Sequence, residues 1–428
     1  MINSGHRASL APVLILCLAA AFDVYAAPVE PIPSLAAQEK APLLDTLKEL
    51  VSIESGSGDR EGLDKLAALI AERLSGVGGQ VELIEPNPAD TYRMVDTPKQ
   101  PGKMVLARFT GSGTKKILLI AHMDTVYLRG MLKDQPFRVD GDRAYGLGIA
   151  DDKQGVALII HTVTMLNKLG FKDYGTLTVL VNGDEEISSP GSRSTISRVA
   201  STQDAVFSFE GGGSDGGVRL ATSGLGSAYL TVEGKASHAG AAPERGVNAL
   251  YELAHQLLQL RDLSQNDKGL KLNWTVAQAG TNRNVIPARA TAQADARALR
   301  VSDFEALQAK LQERVRTQLV GDAKVQLKFE VRRPPLEATP ASRQLAARGK
   351  AVYDELGMPM TIADVATGGG TDAAFAALQT KGAVVEGFGL IGFGAHSNDA
   401  EYVRLDSIVP RLYLATRLVI DVAQDKVK

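Results

Sequence analysis

The sequence predicts an α/β fold: a larger unit with a mostly parallel mixed sheet flanked by helices, plus an inserted α+β unit of two helices on a four-stranded sheet. Three observations carry this. Short β-branched or aromatic runs at Lys116–Ala121, Thr176–Val181 and Ala205–Phe209 read as buried strands. A stretch of helical length and spacing, Asp152–Leu169, separates the first two, and strands that alternate with helices favour parallel pairing. The texture then changes near Ser223–Gly226 and changes back after Pro334-Pro335.

From the N-terminus, His6 and Arg7 precede an apolar run from Leu10 to Phe22, and Val24-Tyr25-Ala26 resembles a small-residue cleavage site. The pattern is that of a secretory signal peptide over residues 1–26, which predicts a secreted or periplasmic protein; the rival reading is an N-terminal core helix. The run falls short of the ~20 residues of a membrane span, so no membrane contact is expected once the signal is cleaved. The one cysteine, Cys17, lies inside it. A cleaved chain therefore has no disulfide, no catalytic thiol and no thiolate ligand, and its fold must rest on its own core.

After a proline-rich entry (Pro28, Pro31, Pro33), helical periodicity appears at Pro42–Ile53 and Gly62–Leu74. The alternating strands and helices complete a first segment, residues 27–222. In the insertion, 223–335, Ser227–Gly234, Lys271–Ala279, Ala290–Ala296 and Val325–Val331 read as strands, and Glu244–Leu263 and Ser302–Leu319 as helices. Residues 336–428 return to α/β texture. With 428 residues and 44% hydrophobic composition the chain can bury an ample core. A net charge of -2 without a Lys/Arg-rich run argues against nucleic acid as a partner.

The chemistry gathers where the predicted strands end. His122 and Asp124 follow the strand Lys116–Ala121, and ligands of open α/β sheets bind beyond the carboxyl ends of strands. At a spacing of two on extended backbone both side chains face one way, so Asp124 can fix the imidazole tautomer; alone, the pair serves equally as a sheet cap and a turn. Asp151-Asp152 closes a glycine-rich loop and opens a helix. Asp152 is a natural N-cap, which leaves Asp151 to point elsewhere and bridge two cations. Asp184-Glu185-Glu186 ends the strand Leu177–Val181: it is either a solvated turn or a metal ligand beside a general base. Glu210 closes the strand Val206–Phe209, and His396 lies in a Gly/Phe-rich loop. Two histidines and three carboxylates without thiolate suit zinc, with cobalt or manganese as substitutes, and a metal pair suits amide hydrolysis.

The strings His122-Met-Asp-Thr-Val, Gly148-Ile-Ala-Asp-Asp-Lys, Asp184-Glu-Glu, Gly234-Lys-Ala-Ser-His-Ala-Gly and Thr367-Gly-Gly-Gly-Thr-Asp resemble the zinc exopeptidase family of aminoacylases, succinyl-diaminopimelate desuccinylases and glutamate carboxypeptidases, the last most of all. The resemblance runs through nearly the whole chain after the signal. It implies two Zn2+ ions per subunit, with Asp151 bridging, His122 and Glu210 on one ion and Glu186 and His396 on the other. It also implies that Glu185 is the general base, that Asp124 orients His122, and that His238 stabilises an oxyanion, often across a homodimer. Asn284, Arg297 and Gly369 match positions at the substrate, Arg297 with a planar fork suited to a carboxylate. The implied substrate is an N-acyl amino acid or short peptide that releases a C-terminal residue such as glutamate. Where that branch has a more constrained stretch, this chain has Gly211–Gly217, which bears on the glutamate preference. Two other readings stand beside it: a broader acyl amino acid hydrolase or dipeptidase, and a non-catalytic periplasmic binding protein.

Overall fold

The computed structural model describes residue 1 and residues 27–213, 216–366, 368–397 and 400–427. Apart from Met1, the predicted signal segment with Cys17 lies outside the described residues. Among the described residues no helix is long and apolar enough to cross a membrane.

The main sheet has eight strands, and its centre is parallel: Thr176–Asn182, Lys116–His122, Ala205–Ser208 and Ala383–Glu386 lie side by side in that order. Two antiparallel neighbours, Met104–Thr110 and Gln80–Ile84, extend one edge. A strand buried on both faces must be apolar throughout, and the middle strand shows why. Ile117, Leu119 and Ala121 enter the core beneath the helices Ile32–Val51, Gln154–Lys168 and Ile408–Ala423. Leu118 and Ile120 enter the other core, with Ile196 and Phe375 from the helices Arg193–Ala200 and Ala373–Ala377.

The insertion forms a four-stranded antiparallel sheet, ordered Lys271–Ala279, Arg289–Ala298, Gly224–Glu233, Lys324–Arg333. The helices Ala249–Leu260 and Val301–Arg314 pack on it around a separate core that includes Leu230, Leu253, Phe304 and Leu311. Asn248 sets the first helix start five residues later than the sequence suggests, because its side chain accepts from the amides of Leu250 and Tyr251. The N-terminal helix begins at Ile32, ten residues before its predicted start. Pro33 is tolerated in the first turn, and Pro42, which looked like a beginning, sits inside. A small third sheet, of the strands Arg138–Asp140, Arg143–Tyr145, Gly392–Phe393 and Tyr402–Arg404, is unforeseen. Strands of two or three residues leave no periodicity to read.

Candidate metal centre

The parallel strands deliver their following residues to one end of the sheet. There His122 Nε2 lies 2.9 Å from Asp151 Oδ1 and 3.4 Å from Glu210 Oε1. His396 Nε2 lies 3.2 Å from Asp151 Oδ2 and 3.1 Å from Glu186 Oε2. Asp151 thus turns one oxygen to each imidazole. His122, Asp151 and Glu210 form one convergent set and Asp151, Glu186 and His396 a second, with donor atoms within 4.8 Å of one another in each.

The electrostatics ask for positive charge. Burial opposes a proton on His122, but Glu210, Asp124 and Asp151 outweigh it and hold its pKa well above the usual value. Hydrogen bonds to Asp151 and then Glu186 lift His396 to about 10. Burial would raise Asp151, yet its bonds to the two histidines hold it well below the usual carboxylate range. Burial pushes Glu186 up to about 7, and its Oε1 is buried with no hydrogen-bond partner among the described residues. Imidazole and carboxylate donors, crowded acids and one orphaned buried oxygen fit divalent cations.

The loop that carries Asp151 is built for its position. Gly148 has φ 70° in the left-handed region, and a Cβ there would meet Thr125 Cγ2 at 2.4 Å. The Asp151-Asp152 peptide is cis, and the helix starts only at Gln154. Asp152 is therefore not the N-cap that the sequence suggests: its Oδ1 accepts from Gln154 Nε2 at 2.7 Å and its Oδ2 faces the His122 amide at 3.4 Å. Behind the loop, the buried Glu401 carboxylate accepts from the amides of Gly148 (3.1 Å), Ala150 (2.7 Å) and Asp151 (3.1 Å), and from the Tyr127 hydroxyl. Glu401→Gln replaces an acceptor oxygen by an amide donor facing other donors. It is expected to weaken divalent-metal binding about 10- to 100-fold, the range seen when a group behind a ligand is lost. Competition with a chelating dye measures it, and unchanged affinity would mean that Glu401 serves only the fold.

Asp124 is fully buried and reaches further than its spacing implied. Its carboxylate accepts from the amides of Glu185 (2.9 Å) and Glu186 (3.1 Å) and from Ser57 Oγ (2.7 Å). His122 Nδ1 lies 3.0 Å from the Asp124 carbonyl oxygen and 3.4 Å from its carboxylate. One residue therefore ties the end of the first strand to the acidic turn after the next. Glu185 Oε1 lies 2.8 Å from Arg333 Nη1, and Arg333 also reaches Asp372 Oδ1 (2.8 Å) and donates to the Glu185 carbonyl (2.7 Å). Burial pushes the Glu185 pKa up against the pull of Arg333.

Beside these groups lies a cavity of about 730 Å³ lined by Asp151, Glu185, Glu186, Glu210 and His396, with Arg297 and Gly369 on another wall. His238 and Asn284 do not line it. Arg297 pairs in register with Leu225, a cavity residue at the start of its strand, whereas His238 and Asn284 lie beyond the far end, near Glu233 and Arg289. Eight residues of strand at roughly 3.3 Å each set the two ends about 26 Å apart. His238 is exposed, and its Nδ1 accepts from the amides of Gly240 (3.1 Å) and Ala241 (3.0 Å).

The family model for peptidase family M20/M25/M40 matches residues 118–421. The chain belongs to that family. It is 41% identical over 424 residues, 99% of each chain, to carboxypeptidase G2 of Pseudomonas sp. (strain RS-16). Over 378 residues, 81% of this chain and 90% of the relative, it is 28% identical to succinyl-diaminopimelate desuccinylase of Gluconobacter oxydans (strain 621H). The fold matches aminopeptidase PepT of Bacillus cereus ATCC 10987 with a TM-score of 0.71 at 20% identity, covering 90% of this chain and 99% of that one. This M20 chain is a divalent-metal exopeptidase of the carboxypeptidase and amidohydrolase type, which sets aside the binding-protein alternative.

Four residues at the M20 site escaped the sequence reading: Glu401, Arg333, Asp372 and Arg219. The signals were faint. Glu401 follows His396 closely, Asp372 ends the Thr367–Asp372 string, and Arg333 ends the last strand of the insertion. The string Gly212-Gly213-Ser214-Asp215-Gly216 has the spacing of a serine nucleophile elbow. It runs on into the strand Val218–Arg219, not into the helix that such an elbow requires.

Proposed function

We propose that this M20 enzyme is a two-zinc carboxypeptidase that releases a C-terminal amino acid, with glutamate first among candidates, from N-acyl or folate-like substrates. The observation that carries the proposal is Asp151, which offers one oxygen to each histidine with Glu185 on the cavity wall beside it. His122, Asp151 and Glu210 would hold one ion and Asp151, Glu186 and His396 the other; cobalt or manganese would fit the same donors. Bound there, a pair of divalent ions supplies charge that polarises an amide carbonyl and lowers the pKa of an attacking water.

The chain's own residues do the rest. Glu185 takes the proton from the water and hands it to the leaving amine. Arg333, itself held by Asp372, keeps that carboxylate turned to the cavity. Asp124 keeps the turn at Glu185 and Glu186 against the His122 strand. Arg297 and Gly369 receive the substrate's free carboxylate side. His238 and Asn284 are too distant to act in their own chain, so they act on a partner's site in a homodimer, with His238 donating to the oxyanion. Losing such a donor costs about 2.7–4 kcal/mol of barrier. The N-terminal pattern supports export to the periplasm or beyond.

The test is release of free amino acid from N-acyl-glutamate, N-acyl-alanine and dipeptide substrates, before and after chelation and with zinc restored. Glutamate released fastest, only with metal, is the expected result. Faster release of neutral residues would favour the broader acyl amino acid hydrolase. In the same assay, mixed and re-equilibrated His238→Ala and Glu185→Gln dimers should regain activity that neither parent has. No recovery would place His238 outside the reaction.

A further inference from the structure

Three arginines line the cavity, and they are not equivalent. Arg333 is buried and committed to Glu185 and Asp372. Arg297 grips Asp295 with Nε (2.9 Å) and Nη2 (3.1 Å), and its Nη1 reaches the Gly368 carbonyl at 3.2 Å. Arg219 is different. Its side chain is 30% exposed, and both of its contacts among the described residues go through Nη1. One is the Gly211 carbonyl at 3.2 Å, and the other is Glu386 Oε1 at 3.7 Å, beyond hydrogen-bond reach. Nε and Nη2 of a permanently charged guanidinium therefore have no partner among the described residues.

The wall around Arg219 leaves room in front of it and is held from behind. Gly211 and Gly213 line the cavity without side chains. The glycine segment is anchored to the helix Ile408–Ala423, since Arg411 Nη2 donates to the Gly216 carbonyl at 2.7 Å. A Cβ on Gly212 would meet that same nitrogen at 2.2 Å. Glu386 is buried and lines the same cavity, but its carboxylate accepts from Thr371 Oγ1 at 2.5 Å and stays 3.7 Å from Arg219 Nη1, so it leaves Nε and Nη2 uncovered.

Position decides which part of a substrate Arg219 meets. The run from Arg219 passes through Thr222 to Leu225, all on the cavity, and Leu225 pairs with Arg297 across the sheet. Thr371, which donates to Glu386 beside Arg219, is only three residues from Gly368, whose carbonyl Arg297 reaches at 3.2 Å. Two cations linked through that short run of cavity wall suit a residue that carries two carboxylates.

We infer that Arg219 is a specificity-determining residue that receives the side-chain carboxylate of the released amino acid, and so selects glutamate or aspartate over neutral residues. The inference rests on the carboxypeptidase reading above, with Arg297 taking the α-carboxylate. The test compares kcat/KM for N-acyl-glutamate and N-acyl-glutamine, isosteres that differ in charge, in wild type, Arg219→Gln and Arg219→Lys. The glutamate-to-glutamine ratio should fall about 10- to 100-fold in Arg219→Gln, the worth of one charge-assisted hydrogen bond, and chiefly through KM. Arg219→Lys should recover part of it. An unchanged ratio, or an equal fall for both substrates, would overturn the assignment and leave Arg219 as a brace for the glycine segment. If wild type releases neither residue, the carboxypeptidase reading fails by itself. Calorimetric binding of free glutamate and glutamine to the zinc-loaded protein then still decides on Arg219, because equal affinities would refute it.

Discussion

Glu185→Gln is expected to lower kcat by about 10²- to 10⁴-fold, the usual worth of a positioned proton carrier, while metal content stays as in wild type. Glutamine keeps the shape of the side chain and an oxygen that can still accept from Arg333, now 2.8 Å from Glu185 Oε1. The main-chain contacts also survive, since the Glu185 amide bonds Asp124 and its carbonyl accepts from Arg333. What disappears is the basic oxygen. Single-turnover rates with metal analysis on the same sample separate the two effects. A fall below tenfold would mean that another group carries the proton. Loss of metal would mean that Glu185 belongs to the ligand set.

What the sequence revealed of the site, and what it hid, follows from the range of each interaction. His122, Glu185, Glu186 and Glu210 were legible because each sits at or just past the end of a strand that is apolar on both faces, and such strands announce themselves. Ile117–Ala121 alternates between two cores and therefore has no polar break until His122. Asp151 stood out because a second acid beside a helix start is more than a cap needs, although the cap itself proved to be absent. Glu401 was illegible: its four donors lie about Gly148 and Tyr127, 250 or more residues earlier, and only the folded chain brings them together. Arg333 and Asp372 were hidden for the same reason. Their charge is spent on buried partners and not on solvent, and composition does not distinguish the two. His238 and Asn284 rest on motif alone, and strand length puts them at the far end of the insertion, away from their own chain's cavity, an arrangement consistent with the action across a homodimer that the resemblance implied for His238.

Asp151→Asn is expected to be the more damaging change, because it should empty both metal positions at once. In the wild-type geometry the two histidine nitrogens face different oxygens of one carboxylate, at 2.9 and 3.2 Å. An asparagine presents one oxygen and one NH₂, so whichever way it turns, one half of the centre meets a donor where it needs an acceptor. The shared negative charge is lost to both halves as well. Loss of a group merely behind a ligand weakens metal binding about 10- to 100-fold, and loss of a shared ligand should exceed the upper end of that range. His396→Ala supplies the contrast: His396 is the exposed partner, bonded among the described residues to Asp151 and Glu186, and its removal should weaken one position and leave His122, Asp151 and Glu210 able to bind. Stepwise zinc titration of the two variants distinguishes a bridged pair from two separate sites. One tight ion retained in His396→Ala and none in Asp151→Asn would support the bridge. One tight ion retained in both would show that Asp151 serves a single position and that the two positions are separate sites.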